Sequence, residues 1–462
     1  MTDTATGVTS TGRTWPLAPE GGAAGTLHRG RLGNGLRLLV APDHTAPAVA
    51  VAVLYDVGHR SEPEGREGFA HLFEHLMFQG SGNLEKLAHA RYINGCGGGF
   101  NGITHRDHTS FFEVVPSGAL ELVLFLEADR MRAPGLTEEA LANQVAVVEQ
   151  EIRRKVFDNP YGGLPSPYLP AVMFDDFANA HDGWGAAERL RTVTVEECWA
   201  FFKKYYTPAN ALLVVCGNAE PGLVEELAER HFGAIPGGVA SPPRREPGPD
   251  TAQPTSHQGA PRHREHRRLG AAMPAMAAGW RIPDPARQET EYQAAVLLSE
   301  VLAKGPESIL QRQLIQRNAS VSQLSMTVGL GGSPYESRDP DVLALTMFLT
   351  GKSDPRAVLG TVYEELTNLA ACGPTPEILS RHAAKWATAW ARALDPLGVR
   401  AQRLGAFELL HGRAELALEL PSRIRRVTSG QVAQAAAELA GQPQRWVTLL
   451  PETAHQTAGA KR

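Results

Sequence analysis

His71, Glu74 and His75 stand close together in the segment EGFAHLFEHLMFQGS. If that segment is helical, residues four apart share a face, and His71 and His75 can present imidazole nitrogens to one metal ion at ~2.0–2.1 Å. Glu74 then sits beside the second His, near enough to take a proton from a water on the metal without ligating it. The order His-x-x-Glu-His inverts a zinc-hydrolase motif. Roughly 0.04 chance occurrences of the pattern are expected in 462 residues with 16 His, so accident is a poor account of it. Leu72, Leu76, Met77 and Phe78 supply the apolar side by which such a helix would be buried.

A catalytic zinc takes three protein ligands and leaves one position open. The best source of the third is NQVAVVEQEIRRKVFDNPYGG, which offers Glu149 and Glu151. Being two residues apart, they cannot share one helix face, and periodicity does not choose between them. Taken alone, each reads as an ordinary solvated carboxylate. The Gly-rich GGGFNGITHRD lacks the Gly-Lys-Ser/Thr of a phosphate loop, which leaves a glycine turn leading into a strand at 110–115.

The elements that must carry these residues follow from period and turn chemistry. Strands are predicted over 36–40, in AVAVAVLYDVG, and over 110–115 and 211–216. Helices are predicted over 68–78, 86–94, 120–130, 138–157 and 194–205. IPGGVASPPRREPGPDTAQPTSHQGAPRH has no apolar period and reads as a linker. Beyond it the order recurs, AAMPAMAAGWRIP preceding EYQAAVLLSEVLA as AVAVAVLYDVG precedes HLFEHLMF, and RHREHRR reads as a solvated strand entry. The expected division is a disordered tail over 1–25, a metal-bearing domain over 26–234, a linker over 235–263 and a metal-free domain over 264–462. The fold class is α+β: two similarly built α/β sandwiches, each an antiparallel sheet with packed helices.

Composition narrows the function classes. The charge of −5, from 45 Lys+Arg against 50 Asp+Glu, argues against nucleic acid as a partner. Cys96, Cys198, Cys216 and Cys372 are far apart and read as reduced thiols. With no apolar leader and no stretch of the ~20 residues a bilayer span needs, the expectation is a cytoplasmic protein that makes no use of a membrane.

The chain resembles the insulinase/pitrilysin family of zinc peptidases, particularly its short bacterial and mitochondrial-processing-type members. The likeness rests on NGLRLLVAPD, VGHRSEPEGREGFAHLFEHLMFQGS, GGGFNGITHRDHTSFFEVVP, LEADRM, VVEQEIRRKVFDNPYG, TVTVEECWAFFKKYYTPANALLVVCGNAEP and LGAFELLHG. It implies that Glu151, after two adjacent apolar residues and roughly 75 residues past His75, is the third zinc ligand. It implies that Asn101 and Gly102 lie on an edge strand to which the substrate backbone adds, and that the fold is half of a clamshell. Gln144 stands where many members have a Glu. The family's Arg and Tyr that hold the substrate carbonyl fall at Leu314 and Val321, with Arg317 a weak stand-in.

The implied activity is zinc-dependent peptide hydrolysis, with Zn2+ on His71, His75 and Glu151 and Glu74 as the base. The implied partners are a peptide substrate and a related chain without the zinc motif, giving a heterodimer, or a second copy giving a homodimer. A peptide-binding subunit with a relic zinc site, and a maturation protease for one ribosomally made peptide, are the alternatives.

Overall fold

AVAVAVLY alternates alanine with β-branched and other large apolar residues, which suits a strand covered on both sides. It forms β3 (Ala48–Tyr55), buried at every position after the first. The computed structural model describes residues 26–238, 260–351 and 353–452. The predicted tail over 1–25, and residues 239–259 of the predicted linker, lie outside the described residues.

The other strands of the first half are β1 (His28–Arg31), β2 (Arg37–Pro42), β4 (Gly99–Thr104), β5 (Thr109–Pro116) and β6 (Ala211–Gly217). They join β3 in one sheet of order β1-β2-β6-β3-β5-β4. The second half contributes β7 (Arg262–Leu269), β8 (Ala275–Arg281), β9 (Val321–Val328), β10 (Val342–Leu349) and β11 (Arg445–Glu452), in the order β7-β11-β8-β10-β9. Without β1 the two sheets are the same frame: β2-β6-β3-β5-β4 matches β7-β11-β8-β10-β9 strand for strand. Neither sheet is wholly antiparallel, since β2 runs parallel to β6 and β7 parallel to β11, while the other neighbours are antiparallel. RHREHRR, expected as a strand entry, forms most of the edge strand β7.

The helices of the first half that bear on the site are α1 (Phe69–Leu76) and α2 (Ala88–Gly95) between β3 and β4, then α3 (Leu120–Arg132) and α4 (Glu138–Ile152) after β5. A π-type turn, Arg153–Phe157, continues α4. In the second half the interval between β8 and β9 holds the helix Glu289–Ala303 and a π-type turn, Gln311–Arg317. Among the described residues no helix is long and apolar enough to cross a membrane.

The strands follow the linear division at the linker, but the compact units do not. One unit is Met1–Val148, Gly185–Arg245 and Ala391–Glu419; the other is Glu149–Trp184, Glu246–Trp390 and Leu420–Arg462. The cause is that each sheet has an apolar face to cover, and each half lends a segment to the other's sheet. Within the first unit the helix Leu397–His411 lies so close to the sheet that a Cβ on Gly405 would fall 2.5 Å from Leu54. Within the second unit Leu169, Val172, Met173 and Phe174 share a core with Ala277, Val342, Ala344 and Val447. There Gly279 of β8 makes the room, because a Cβ on it would fall 2.7 Å from the Met173 sulfur.

Candidate metal and catalytic site

Spacing in α1 divides it into two sides. Phe69, Ala70, Leu72, Phe73 and Leu76 are buried, and the Phe73 ring packs against Phe201 at 5.4 Å and Tyr206 at 4.6 Å between centroids. Burying side chains of this size stabilises the fold by roughly 1.5–3 kcal/mol each, which fixes the rotation of the helix about its axis. The start of the helix is held by the buried Glu62, whose carboxylate accepts the N–H groups of Gly68 at 2.9 Å and Ala70 at 2.7 Å. These donors would otherwise lack a partner inside the helix.

His71, Glu74 and His75 are left on the half-exposed side. The two imidazoles meet edge to face, with centroids 4.9 Å apart and planes at 81°. The Thr104 hydroxyl, on β4, donates to Glu74 Oε2 at 2.7 Å. Gly102 stands two residues earlier on the same face of that strand. A Cβ there would meet Glu74 Cγ at 2.9 Å and the Phe78 ring at 3.1 Å, so glycine is what lets β4 approach the helix. Asn101, on the opposite face, is exposed. The stretch that reads as a glycine turn forms an edge strand, paired among the described residues with β5 alone.

The border between the two units falls inside α4, between Val148 and Glu149, and the helix runs unbroken to Ile152. Glu151 lies on its last turn. One ring nitrogen each of His71 and His75 and one carboxylate oxygen of Glu151 all lie within 4.8 Å of one another, and Glu149 is not in that group. Glu151 also pairs with Lys155 at 2.5 Å, and the Lys155 ammonium sits 5.1 Å from the Trp184 ring centroid. Gln144 is buried on α4. Leu314 and Val321 are core residues, 0% and 1% exposed, and Arg317 is an exposed side chain that donates to Gln313 at 3.2 Å. A second group with metal-ligand types, His89, Glu113 and Glu127, is fully buried beneath α2 and α3.

Two family signatures match this chain: "Insulinase (Peptidase family M16)" over residues 37–161, which encloses α1 and Glu151, and "Peptidase M16 inactive domain" over residues 192–385. The chain belongs to the insulinase family. Among insulinase-family relatives it is 28% identical over 309 residues to the zinc protease PqqE of Helicobacter pylori, covering 63% of this chain and 64% of that one. It is 26% identical over 215 residues to the mitochondrial-processing peptidase subunit beta of Blastocladiella emersonii, covering 45% and 44%. These matches therefore span less than two thirds of either relative. The fold agrees with the crystal structure of a protease from Helicobacter pylori at a TM-score of 0.81 and 21% identity, over 93% of this chain and all of that one. It also agrees with pitrilysin at 0.73 and 19%, over 97% of this chain and 47% of that one.

Reading the sequence by motif misses Glu62 and Thr104. Thr104 has a signal in hindsight, because it lies in register with Gly102 on one face of a strand. Glu62 has a weaker one, a carboxylate shortly before a helix whose N-cap position, Gly68, has no side chain to accept its first N–H groups.

Proposed function

We propose that the chain is a zinc-dependent endopeptidase that hydrolyses peptides or unfolded segments. The observation that carries this reading is the convergence of two imidazole nitrogens and one carboxylate oxygen next to a separate, hydrogen-bonded carboxylate, Glu74. Two histidines and one carboxylate are a donor set that zinc accepts with a position left open for water. His71, His75 and Glu151 would hold the ion. Bound there, zinc would lower the pKa of a water toward ~7 and polarise the scissile carbonyl. Glu74 takes the proton of the attacking water on its carboxylate and hands it to the leaving amine nitrogen as the peptide C–N bond breaks. Thr104, donating to Oε2, holds the plane of that carboxylate.

The free edge of β4 suits an extended peptide, which would add as a further strand through backbone hydrogen bonds. Asn101 and Gly102 lie on that edge, and they are the residues proposed to bind substrate. The buried Leu314 and Val321 have no donor to give a developing oxyanion. We therefore assign this chain the zinc-bearing role in a pair, a related chain without the motif supplying the donors. The name of the Blastocladiella relative, a peptidase subunit, supports that reading, as does the match to about half of pitrilysin. Four unpaired cysteines go with a reducing compartment such as the cytoplasm.

The test is digestion of a peptide library by the purified chain, with and without a candidate partner and with and without zinc. Zinc-dependent cleavage that rises on adding the partner, and that Glu74→Gln removes while keeping the metal, is the expected result. Cleavage retained by Glu74→Gln sinks the catalytic assignment, and full activity from the chain alone sinks the pairing.

A further inference from the structure

Four ionisable side chains that take no part in the proposed reaction are packed together under the active helix. His89 comes from α2, Glu113 from β5, and Glu127 and Arg130 from α3. Their exposures are 7%, 0%, 0% and 1%. His89 Nε2 lies 3.0 Å from Glu113 Oε1 and, with a carboxylate facing it, donates. Arg130 pairs with Glu127 and lies 3.6 Å from the same Glu113 oxygen. The Glu113 and Glu127 carboxyls are hydrogen-bonded to each other, and two guanidinium nitrogens of Arg130 have no hydrogen-bond partner among the described residues. Burying this much charge costs several kcal/mol per ion unless it is well paired, so an apolar filling of the same space would be the cheaper way to build a core.

What the arrangement does with its cation is visible in the aromatic rings. The Arg130 guanidinium lies 5.0 Å from the Phe78 ring centroid and 4.3 Å from that of Phe111. Phe78 sits in the turn that closes α1, its N–H donating to the His75 carbonyl at 3.2 Å. Its ring also meets Phe100 at 5.4 Å and Phe111 at 5.6 Å between centroids. The same ring and Glu74 Cγ are the two groups nearest to where a Gly102 side chain would be. Contacts thus run from Arg130 to Phe78 and from Phe78 to Phe100 of β4, the strand whose Thr104 holds the Glu74 carboxylate.

We propose that Arg130, paired with Glu127 and next to Glu113, is a positioning residue for Glu74: its guanidinium over the Phe78 ring clamps that ring and so sets the Phe100–Thr104 stretch of β4 against the base. The inference rests on the peptidase reading for its consequence in catalysis, and on the contacts alone for its consequence in β4. The groups facing the carboxyl pair are Arg130 and His89, with the Tyr55 phenol of β3 further off. Burial pushes Glu127 up to about 8 and Glu113 upward, while burial and then Arg130 push His89 down to about 4. A proton held by the pair, a neutral His89 and one guanidinium leave the cluster with no net charge at neutral pH.

The experiment uses the full chain, with its partner where one is required, and the variants Arg130→Lys and Phe78→Leu. The first keeps the charge but loses the flat fork; the second keeps an apolar side chain but loses the ring. Zinc content, hydrogen exchange of the β4 amides bonded to β5, and kcat and KM on one peptide are read together. Both variants should keep wild-type zinc, exchange those amides about tenfold faster, and lose about tenfold in kcat with KM within about twofold. If Arg130→Lys does not fold, Phe78→Leu carries the test. Unchanged β4 exchange, or faster exchange with unchanged kcat, overturns the proposal. A wild-type chain that cleaves nothing overturns the peptidase reading instead, and the β4 exchange rates still decide the clamp.

Discussion

Among the described residues two triads of histidine and glutamate bring one donor atom each within 4.8 Å, and they could hardly be put to more different use. His71, His75 and Glu151 are each half-exposed; His89, Glu113 and Glu127 are buried. In the second triad the place of a cation is already taken, since Arg130 pairs with Glu127 and stands 3.6 Å from Glu113. Ligand types in range therefore do not make a metal centre. A metal centre also needs a route for the ion, and any positive charge already on its ligands must be able to leave. Lys155, which pairs with Glu151 in the first triad, is half-exposed and can swing into solvent; Arg130 in the second is buried with its partners.

The largest effects test that contrast directly. His71→Ala or Glu151→Ala should remove bound zinc and with it all zinc-dependent cleavage, whereas His89→Ala should leave about one zinc per chain, as read by metal analysis of the dialysed protein. Two zinc ions in the wild type, one of them lost in His89→Ala, would erase the distinction. Next in size, Arg130→Met strands two buried carboxyls and should cost about 3 kcal/mol or more in denaturant unfolding.

A smaller effect concerns pH. A carboxyl whose folded pKa is raised gives stability that is complete below its unfolded pKa and is lost as pH climbs to the folded value. With Glu127 pushed up to about 8 by burial, the wild type should lose stability between about pH 4.5 and pH 8, by at most about 1.4 kcal/mol per pH unit. Glu127→Gln should remove that slope in unfolding curves taken across the window. The smallest expected effect is that of Thr104→Val. It removes one hydrogen bond to a charged group, worth about 1.5 kcal/mol, and should lower kcat about tenfold with zinc intact.

The part of the site that was legible in the sequence is the part that is contiguous. His71, Glu74 and His75 share one helix, so spacing alone places them on one side of it. Glu151 was not legible in the same way, because Glu149 and Glu151 lie on different faces of one helix and only tertiary packing decides which face meets the histidines. The buried cluster shows the same limit. Glu113 looks like any polar residue in a strand, and Glu127 and Arg130 look like an ion pair on a helix surface, until α3 is laid on the sheet. In the fold, the repeated order of strand and helix was readable from apolar periodicity. The parallel pairs and the late strands β9 and β11 were not, because pairing partners distant in sequence leave no local trace.

The exchange of helical segments between the halves has a consequence for how the chain is made. The sheet of the first unit is complete in sequence by Gly217, yet the helix that covers it with Gly405 begins only at Leu397. At ~5–20 residues per second, the roughly 180 residues between them take about 10–40 s to synthesise. For that interval Leu54 and Val214 lack the helix that buries them in the finished protein, and the nascent chain presents an apolar sheet face to the cell. Ribosome-bound chains ending before Leu397 should bind a chaperone that those ending beyond Glu419 release.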